Sequence, residues 1–473
     1  MEHIAIKENN NVSTQSNFLP LLILTILTIL MSFLRKYKPF NSWIVSRVNQ
    51  MISPETMTND QYYIITNTFK MVHGPTNGSL SHNRQLFPLN GLYNALLNLN
   101  EYGVRSKRQN SIILQRALSL NSEFKSQLKD IEYFDKLNDV DLAVVENNIT
   151  VKKIVESTLT RLVDDNQSVL REGDNYDSAI FEQVKMVCEP LGYTIQAGNT
   201  VQLKRKKEPT MNSLLSKSSN QARVVESLQH LVRDYSKEYE IELNPLLDYV
   251  TSQMDDLYTN FQDDKVLILV PGPGVGRIPF ELAKKYPKCQ VESIELSNLM
   301  YLLNEFALTH QEDITIRPFA QYFSSQLDSG DQLREFNVPL SCIRKLPNLN
   351  IRHGDFRNIS INEKYDRIVI VTVYFIDTAE NILEYIDTME KLTKFAHTKQ
   401  INWINIGPLK YGTKPNVQLT FNELTKLLAI RNWKMKHVVI NNDGNKLNGY
   451  LTDYKSLYQG YYGTVAFHTE YID

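Results

Sequence analysis

The chain has 473 residues, 42% of them hydrophobic, 22% charged and 10% aromatic, with 51 basic against 53 acidic side chains. Those figures exclude a disulfide-stapled miniprotein, a collagen-like chain and a polytopic membrane protein, and the length suits two or three domains. A net charge of -2 gives no field that would draw the whole chain onto nucleic acid, and Cys188, Cys289 and Cys342 are too few and too scattered for a disulfide framework or a thiolate metal site, which suits the cytosol or nucleus.

Residues 1–17 are polar and read as a disordered tail. Residues 18–34, FLPLLILTILTILMSFL, carry no charge and are followed at once by Arg35, Lys36 and Lys38. That run reads as a single membrane anchor holding the rest of the chain on the cytoplasmic side, with a buried apolar helix, Pro20 in its first turn, as the alternative. Scattered Pro, Gly, Thr and Asn make 35–88 a linker with loops. From 89 to 262 the apolar spacing is helical: Leu92, Leu96, Leu97 and Tyr102 share a face, and helices are expected at 112–135, 149–165 and 223–235. Asn244 and Pro245 suit the cap and first turn of another helix. Residues 184–203 read as a helix, a turn and a short strand, and the basic run after them as a solvated connection.

Past residue 263 strands and helices alternate. VLILV at 266–270 is apolar throughout, as a strand covered on both faces requires, and six or seven strands can be counted to residue 473. The pattern predicts one doubly wound α/β domain whose ligands sit at the carboxyl ends of its strands.

The first strand runs into PGPGVGR, so Gly272, Gly274 and Gly276 precede Arg277. No Lys-Ser/Thr pair follows and the spacing is not GxGxxG, which excludes a Walker loop and disfavours a dinucleotide. Glu295, nineteen residues after Gly276 at the end of the next strand, suits the two hydroxyls of a ribose. A glycine loop without a phosphate site, paired with that acid, matches the needs of S-adenosylmethionine; the bland alternative is a tight turn whose glycines serve packing alone. Asp355 and Phe356, after a later strand, suit an adenine amine and base, or a turn aspartate capping the next element.

The segment IVTVYFIDTAENILEYID places Tyr374, Phe375 and Asp377 at the end of a buried strand, two strands away from the glycine loop; the alternative is that Asp377 and Thr378 simply cap the helix at 380–388. NWINIGPLKYG places Tyr411 above the same edge. No metal ligand set is present, and the RKYK and KRKKEP runs read as a membrane flank and a connector rather than a nucleic-acid surface.

VRDYS at 232–236, LVPGPGVGRIPFELA at 269–283, the Glu295 segment, GDF at 354–356, FIDTAENILEYIDT at 375–388, INWINIGPLKY at 401–411 and YYGTVAF at 461–467 together resemble the carnosine N-methyltransferase family. The resemblance covers about four fifths of the chain and leaves out the apolar N-terminus. It implies a class I, Rossmann-like, seven-stranded methyltransferase fold behind an N-terminal helical region. It also implies methyl transfer from S-adenosylmethionine to the imidazole Nπ of carnosine, giving anserine. By the same resemblance Asp377 contacts the imidazole, and Tyr461 and Tyr462 line its pocket beside Tyr374, Phe375 and Tyr411. The family has histidine where Glu380 stands, and a substrate-binding histidine directly after the tyrosine matching Tyr411, where this chain has Gly412. Alternatives left open are another imidazole dipeptide, a protein or small-amine substrate, and a non-catalytic scaffold. The helices before 263 are expected to cover part of the substrate entrance.

Overall fold

A computed structural model describes residues 90–473, apart from 172, 174–175, 199, 207–219, 260–262, 413 and 473, together with two paired strands at Tyr63–Ile65 and Met71–His73. The tail, the apolar run at 18–34 and most of the linker lie outside the described residues. Among the described residues no helix is long and apolar enough to cross a membrane, and no group of His, Cys, Asp and Glu is arranged to hold a metal ion.

The helical region comprises α1 (Asn90–Asn100), α2 (Tyr102–Leu118), α3 (Ser122–Asp130), α4 (Tyr133–Asp165), α5 (Ser178–Cys188), α6 (Gln221–Tyr235) and α7 (Glu240–Tyr258). A hairpin of Tyr193–Gln196 with Gln202–Arg205 follows α5. Two expected helices are divided differently. Asn121 accepts from the Phe124 N–H and starts α3 afresh, which breaks the 112–135 run. Residues 136–148 contain neither Gly nor Pro, so α4 runs unbroken for 33 residues and buries Val140, Val144, Val151 and Ile154 along one face. Helix α7 also starts earlier than expected, at Glu240, and Pro245 sits inside it at the loss of one backbone hydrogen bond. Glu240 and Glu242 in the first turn suit the positive end of that helix.

The sheet has seven strands: β1 (Val266–Pro271), β2 (Gln290–Glu295), β3 (Leu349–His353), β4 (Arg367–Val373), β5 (Gln400–Gly407), β6 (Trp433–Asn441) and β7 (Thr464–Ile472). Their spatial order is β6-β7-β5-β4-β1-β2-β3. β1 pairs in parallel with β2 and β4, and β7 is antiparallel to both β5 and β6. This is the class I methyltransferase sheet. The chain order reverses between β1 and β4, which opens the crevice where such sheets bind ligands. The carboxylate-bearing strand β4 is therefore the direct neighbour of β1, not a strand two places away; sequence order does not give spatial order in a doubly wound sheet.

Burial on both sides of β1 explains its unbroken apolar run. Val266, Ile268 and Val270 join a core with Leu231, Leu243 and Val250 of α6 and α7, whereas Leu267 and Leu269 face Ile382, Ile386, Leu424 and Leu428. The latter four lie on α10 (Ile382–Lys391) and α11 (Phe421–Ile430), which follow α8 (Arg277–Lys285) and α9 (Asn298–Thr309) in the chain. The helical region thus shares one continuous core with the sheet.

Candidate active site

At the end of β1 the three glycines all take positive φ: 62° at Gly272, 58° at Gly274 and 94° at Gly276. Their reasons differ. A Cβ on Gly272 would lie 2.3 Å from Phe375 Cδ2, and one on Gly276 would lie 2.3 Å from Asn304 Oδ1, so both are glycine because protein packs against them. A Cβ on Gly274 would meet nothing within 4 Å. Gly274 is the residue of the loop that faces open space, where a ligand can approach the backbone.

Glu295 stands beside it. Its Oε2 accepts from the Gly274 N–H at 3.0 Å and its Oε1 from the Ser297 N–H at 2.7 Å. Burial pushes this carboxyl up to about 7 despite those backbone bonds. Each oxygen keeps a further lone pair, so a vicinal diol can still donate to it. Asn304 Oδ1 is buried without a partner against the same loop. The C-terminal end of α6 closes the other side: the Tyr235 hydroxyl donates to the Val275 carbonyl at 2.9 Å, and Arg277 Nη1 donates to the Asp234 carbonyl at 2.9 Å. Next to them Arg233 is 7% exposed, gives Nε to Glu242 and Nη1 to Asp234, and leaves Nη2 buried and unpartnered. An open backbone cradle, a diol-accepting acid and a guanidinium with a spare N–H fit a ribose-bearing amino-acid cofactor with no phosphate.

β4 ends in a strained residue. Tyr374 has φ 52°, its N–H donates to the Ile406 carbonyl at 3.0 Å, and a Cβ on Gly407 would come within 3.0 Å of its backbone. The kink turns Phe375 toward the glycine loop and sets Asp377 in the short helical turn Ile376–Thr378. Asp377 is 7% exposed, and its Oδ2 accepts from the Lys410 N–H at 2.9 Å. Burial raises it to about 6. It does not cap α10; Asn381 does, accepting from the Leu383 N–H at 3.2 Å. Asp377 is therefore a buried carboxylate, one strand from the donor cradle, whose proton affinity lies near neutrality.

Aromatic rings wall this end. Tyr374 stacks on Tyr450 with centroids 4.8 Å apart, and Tyr462 sets its edge against both at 6.3 and 6.4 Å. The Arg233 guanidinium lies 4.9 Å from the Tyr450 ring centre, and Lys410 Nζ donates to the Tyr462 hydroxyl at 2.7 Å.

Gly272, Gly274, Gly276, Arg277, Glu295, Tyr374, Phe375 and Asp377 thus converge on one rim. The other expected residues lie around it. Asp355 caps its own turn and holds Arg357, which keeps its carboxyl below the usual range, and Phe356 is 3% exposed, edge-on to Phe375 and Tyr385. Phe356 reaches the site only through those rings. The Tyr411 hydroxyl is taken by the Leu419 carbonyl, and Tyr461 points outward onto Gln459, leaving Tyr462 as the inner member of that pair. Glu380 is exposed, and a side chain at Gly412 would meet open space. Sequence reasoning missed Arg233, Tyr235, Glu242, Lys410, Asn448 and Tyr450. VRDYS and NGYL carry no strand-end signal, and only the fold brings them to the rim. A groove of 620 Å³ lined by Lys153, Arg161, Thr309 and Glu312 lies at the far end of α9 and shares none of these residues.

Residues 210–473 match the model of the family described as carnosine N-methyltransferase, a span that begins ahead of α6 rather than at β1. The uncharacterised protein YMR209C of Saccharomyces cerevisiae is 38% identical over 458 residues, covering 95% of this chain and 97% of that one. Carnosine N-methyltransferase of Dictyostelium discoideum is 32% identical over 227 residues (44% of this chain, 47% of that one), and that of Schizosaccharomyces pombe 30% over 227 residues (43% and 59%). The match spans about half the length of those two enzymes. The chain belongs to the carnosine N-methyltransferase family and is a class I methyltransferase that uses S-adenosylmethionine.

Proposed function

We propose that this enzyme methylates the imidazole Nπ of carnosine or a related histidine-containing dipeptide, giving anserine when the substrate is carnosine. The observation that carries the reading is Asp377: a buried carboxylate, relieved of capping duty, raised to about 6 and seated one strand from the donor cradle. Neutral imidazole is already a nucleophile through its unprotonated nitrogen, so the protein's task is to fix the tautomer and orientation. Asp377 holds the N–H of the distal ring nitrogen and accepts its proton as the ring becomes cationic. The Tyr374, Tyr450 and Tyr462 rings wall that end of the site and exclude water. On the donor side Gly274, Glu295 and Arg233 Nη2 hold the cofactor's backbone-contacting portion, ribose and carboxylate. The bound cofactor supplies an electrophilic methyl on a sulfonium, whose charge is lost on transfer.

A second reading has specific support. Gly412 stands where the resemblance implies a substrate-binding histidine, and that departure favours another imidazole dipeptide over carnosine itself. Purified enzyme given S-adenosylmethionine and a mixture of imidazole dipeptides is expected to yield Nπ-methylated product by mass spectrometry. Methylation of none of them, with another amine methylated instead, would discard the imidazole reading.

A further inference from the structure

The wall of Tyr374 and Tyr450 hangs on one buried carboxylate. Glu242 is fully buried at 0% exposed. Its Oε2 accepts from Arg233 Nε at 3.1 Å and from the Leu451 N–H at 3.0 Å; its Oε1 accepts from the Thr452 N–H and the Tyr454 hydroxyl, each at 3.0 Å. Its main-chain carbonyl accepts from Asn448 Nδ2 at 3.1 Å, and that amide also donates to the Tyr374 hydroxyl at 3.2 Å. Gly449 has no room for a side chain, because a Cβ there would lie 2.7 Å from Glu242 Oε1. Residues 448–454 are therefore wound around this one side chain, with Leu451 held at φ 56°, and Tyr450 is carried inside the winding onto Tyr374.

The same carboxylate aims Arg233. With Nε on Glu242 and Nη1 on Asp234, the guanidinium plane is fixed and its buried Nη2 is the donor left over. Buried charges held in several directions at once move together or not at all, since releasing one partner leaves another uncompensated. We propose that Glu242 is a positioning residue that couples the two halves of the site: a ligand carboxylate engaging Arg233 Nη2 stiffens, through Glu242, the loop that carries Tyr450 over the substrate. This rests on the reading of Arg233 as the holder of the cofactor carboxylate. Filling the donor cradle then completes the acceptor wall, which orders the binding of the two substrates.

S-Adenosylhomocysteine is the probe, used with the full chain. Hydrogen exchange at Leu451 and Thr452 is expected to slow at least tenfold on ligand addition in the wild type. Glu242→Gln is expected to bind the probe about tenfold more weakly and to lose that ligand-linked protection. In an Arg233→Met background the further change Glu242→Gln is expected to cost less than twofold, because its effect runs through the arginine. Equal costs in both backgrounds, or retained protection in Glu242→Gln, would overturn the coupling. Unchanged probe affinity in Arg233→Met alone would instead remove the reading of that arginine. Should Glu242→Gln fail to fold, Tyr454→Phe takes its place: it is expected to keep probe affinity within twofold while weakening the protection at 451–452, and undiminished protection there overturns the proposal.

Discussion

On the donor side of the crevice the working groups, Arg233 of α6 apart, lie within 26 residues of sequence, Gly272 to Ser297, and most act through the backbone: a loop with three positive φ values, two N–H groups on one carboxylate and the strand end that carries it. On the acceptor side they come from α7, the ends of β4 and β5 and the β6–β7 connection, and they act through side chains: Glu242, Asp377, Lys410, Asn448, Tyr450 and Tyr462. Backbone geometry tolerates little variation, whereas a side-chain pocket is re-specified one residue at a time. On the proposed reading the cofactor is thereby fixed by the fold, while substrate choice rests on a few exchangeable positions.

The sharpest break between the two sides is expected from Asp377→Asn. Turnover should fall by roughly 10²–10⁴-fold, the usual worth of a positioned general base, with S-adenosylhomocysteine affinity unchanged in calorimetry. Equal loss of both would make Asp377 a brace for the whole rim. Next comes a contrast within the glycine loop. Alanine at Gly274 or Gly276 incurs the left-handed strain of about 1–2 kcal/mol. At Gly276 it also meets Asn304, whereas at Gly274 it meets only open space. Gly276→Ala should therefore melt lower, and Gly274→Ala should keep most stability yet lose at least about tenfold in cofactor affinity, because its Cβ occupies the ligand's approach.

How much of this was legible follows from the same contrast. The apolar run at 266–270, the glycine spacing and the acid nineteen residues on are local patterns with a single physical explanation, and the sheet and cradle could be read from them. The separate reasons for the three glycines could not, since Phe375 and Asn304 are distant in sequence. Asp377 was legible as a strand-end carboxylate but not as distinct from a helix cap until Asn381 was seen to do the capping. Glu242 gave no signal: an acid in a helical first turn is ordinarily a dipole partner in solvent, and only the loop wound around it shows otherwise. The boundaries of α3 and α4 turn on Asn121, whose capping side chain interrupts an apolar spacing that otherwise reads as one helix.

A pH measurement sharpens the donor side. The folded Glu295 carboxyl is raised from 4.5 to about 7, so the empty protein favours its protonated form, and the stability that form contributes below pH 4.5 is lost progressively as pH rises to about 7. Hydroxyl donors reverse that preference. Binding of S-adenosylhomocysteine near neutrality should release a fraction of one proton, seen as a buffer-dependent enthalpy, and Glu295→Gln should abolish the release. The smallest effect is expected from Tyr462→Phe, which removes the exposed Lys410 bond worth at most about 1 kcal/mol. KM for the imidazole substrate should rise a few-fold with kcat unchanged.

The most direct measurement is the mass and methylation position of the product formed from carnosine by wild-type and Asp377→Asn enzyme at saturating S-adenosylmethionine. Anserine from the wild type, and almost none from a variant that still binds the cofactor, is the predicted result. An Asp377→Asn enzyme that methylates imidazole at the wild-type rate would contradict the account.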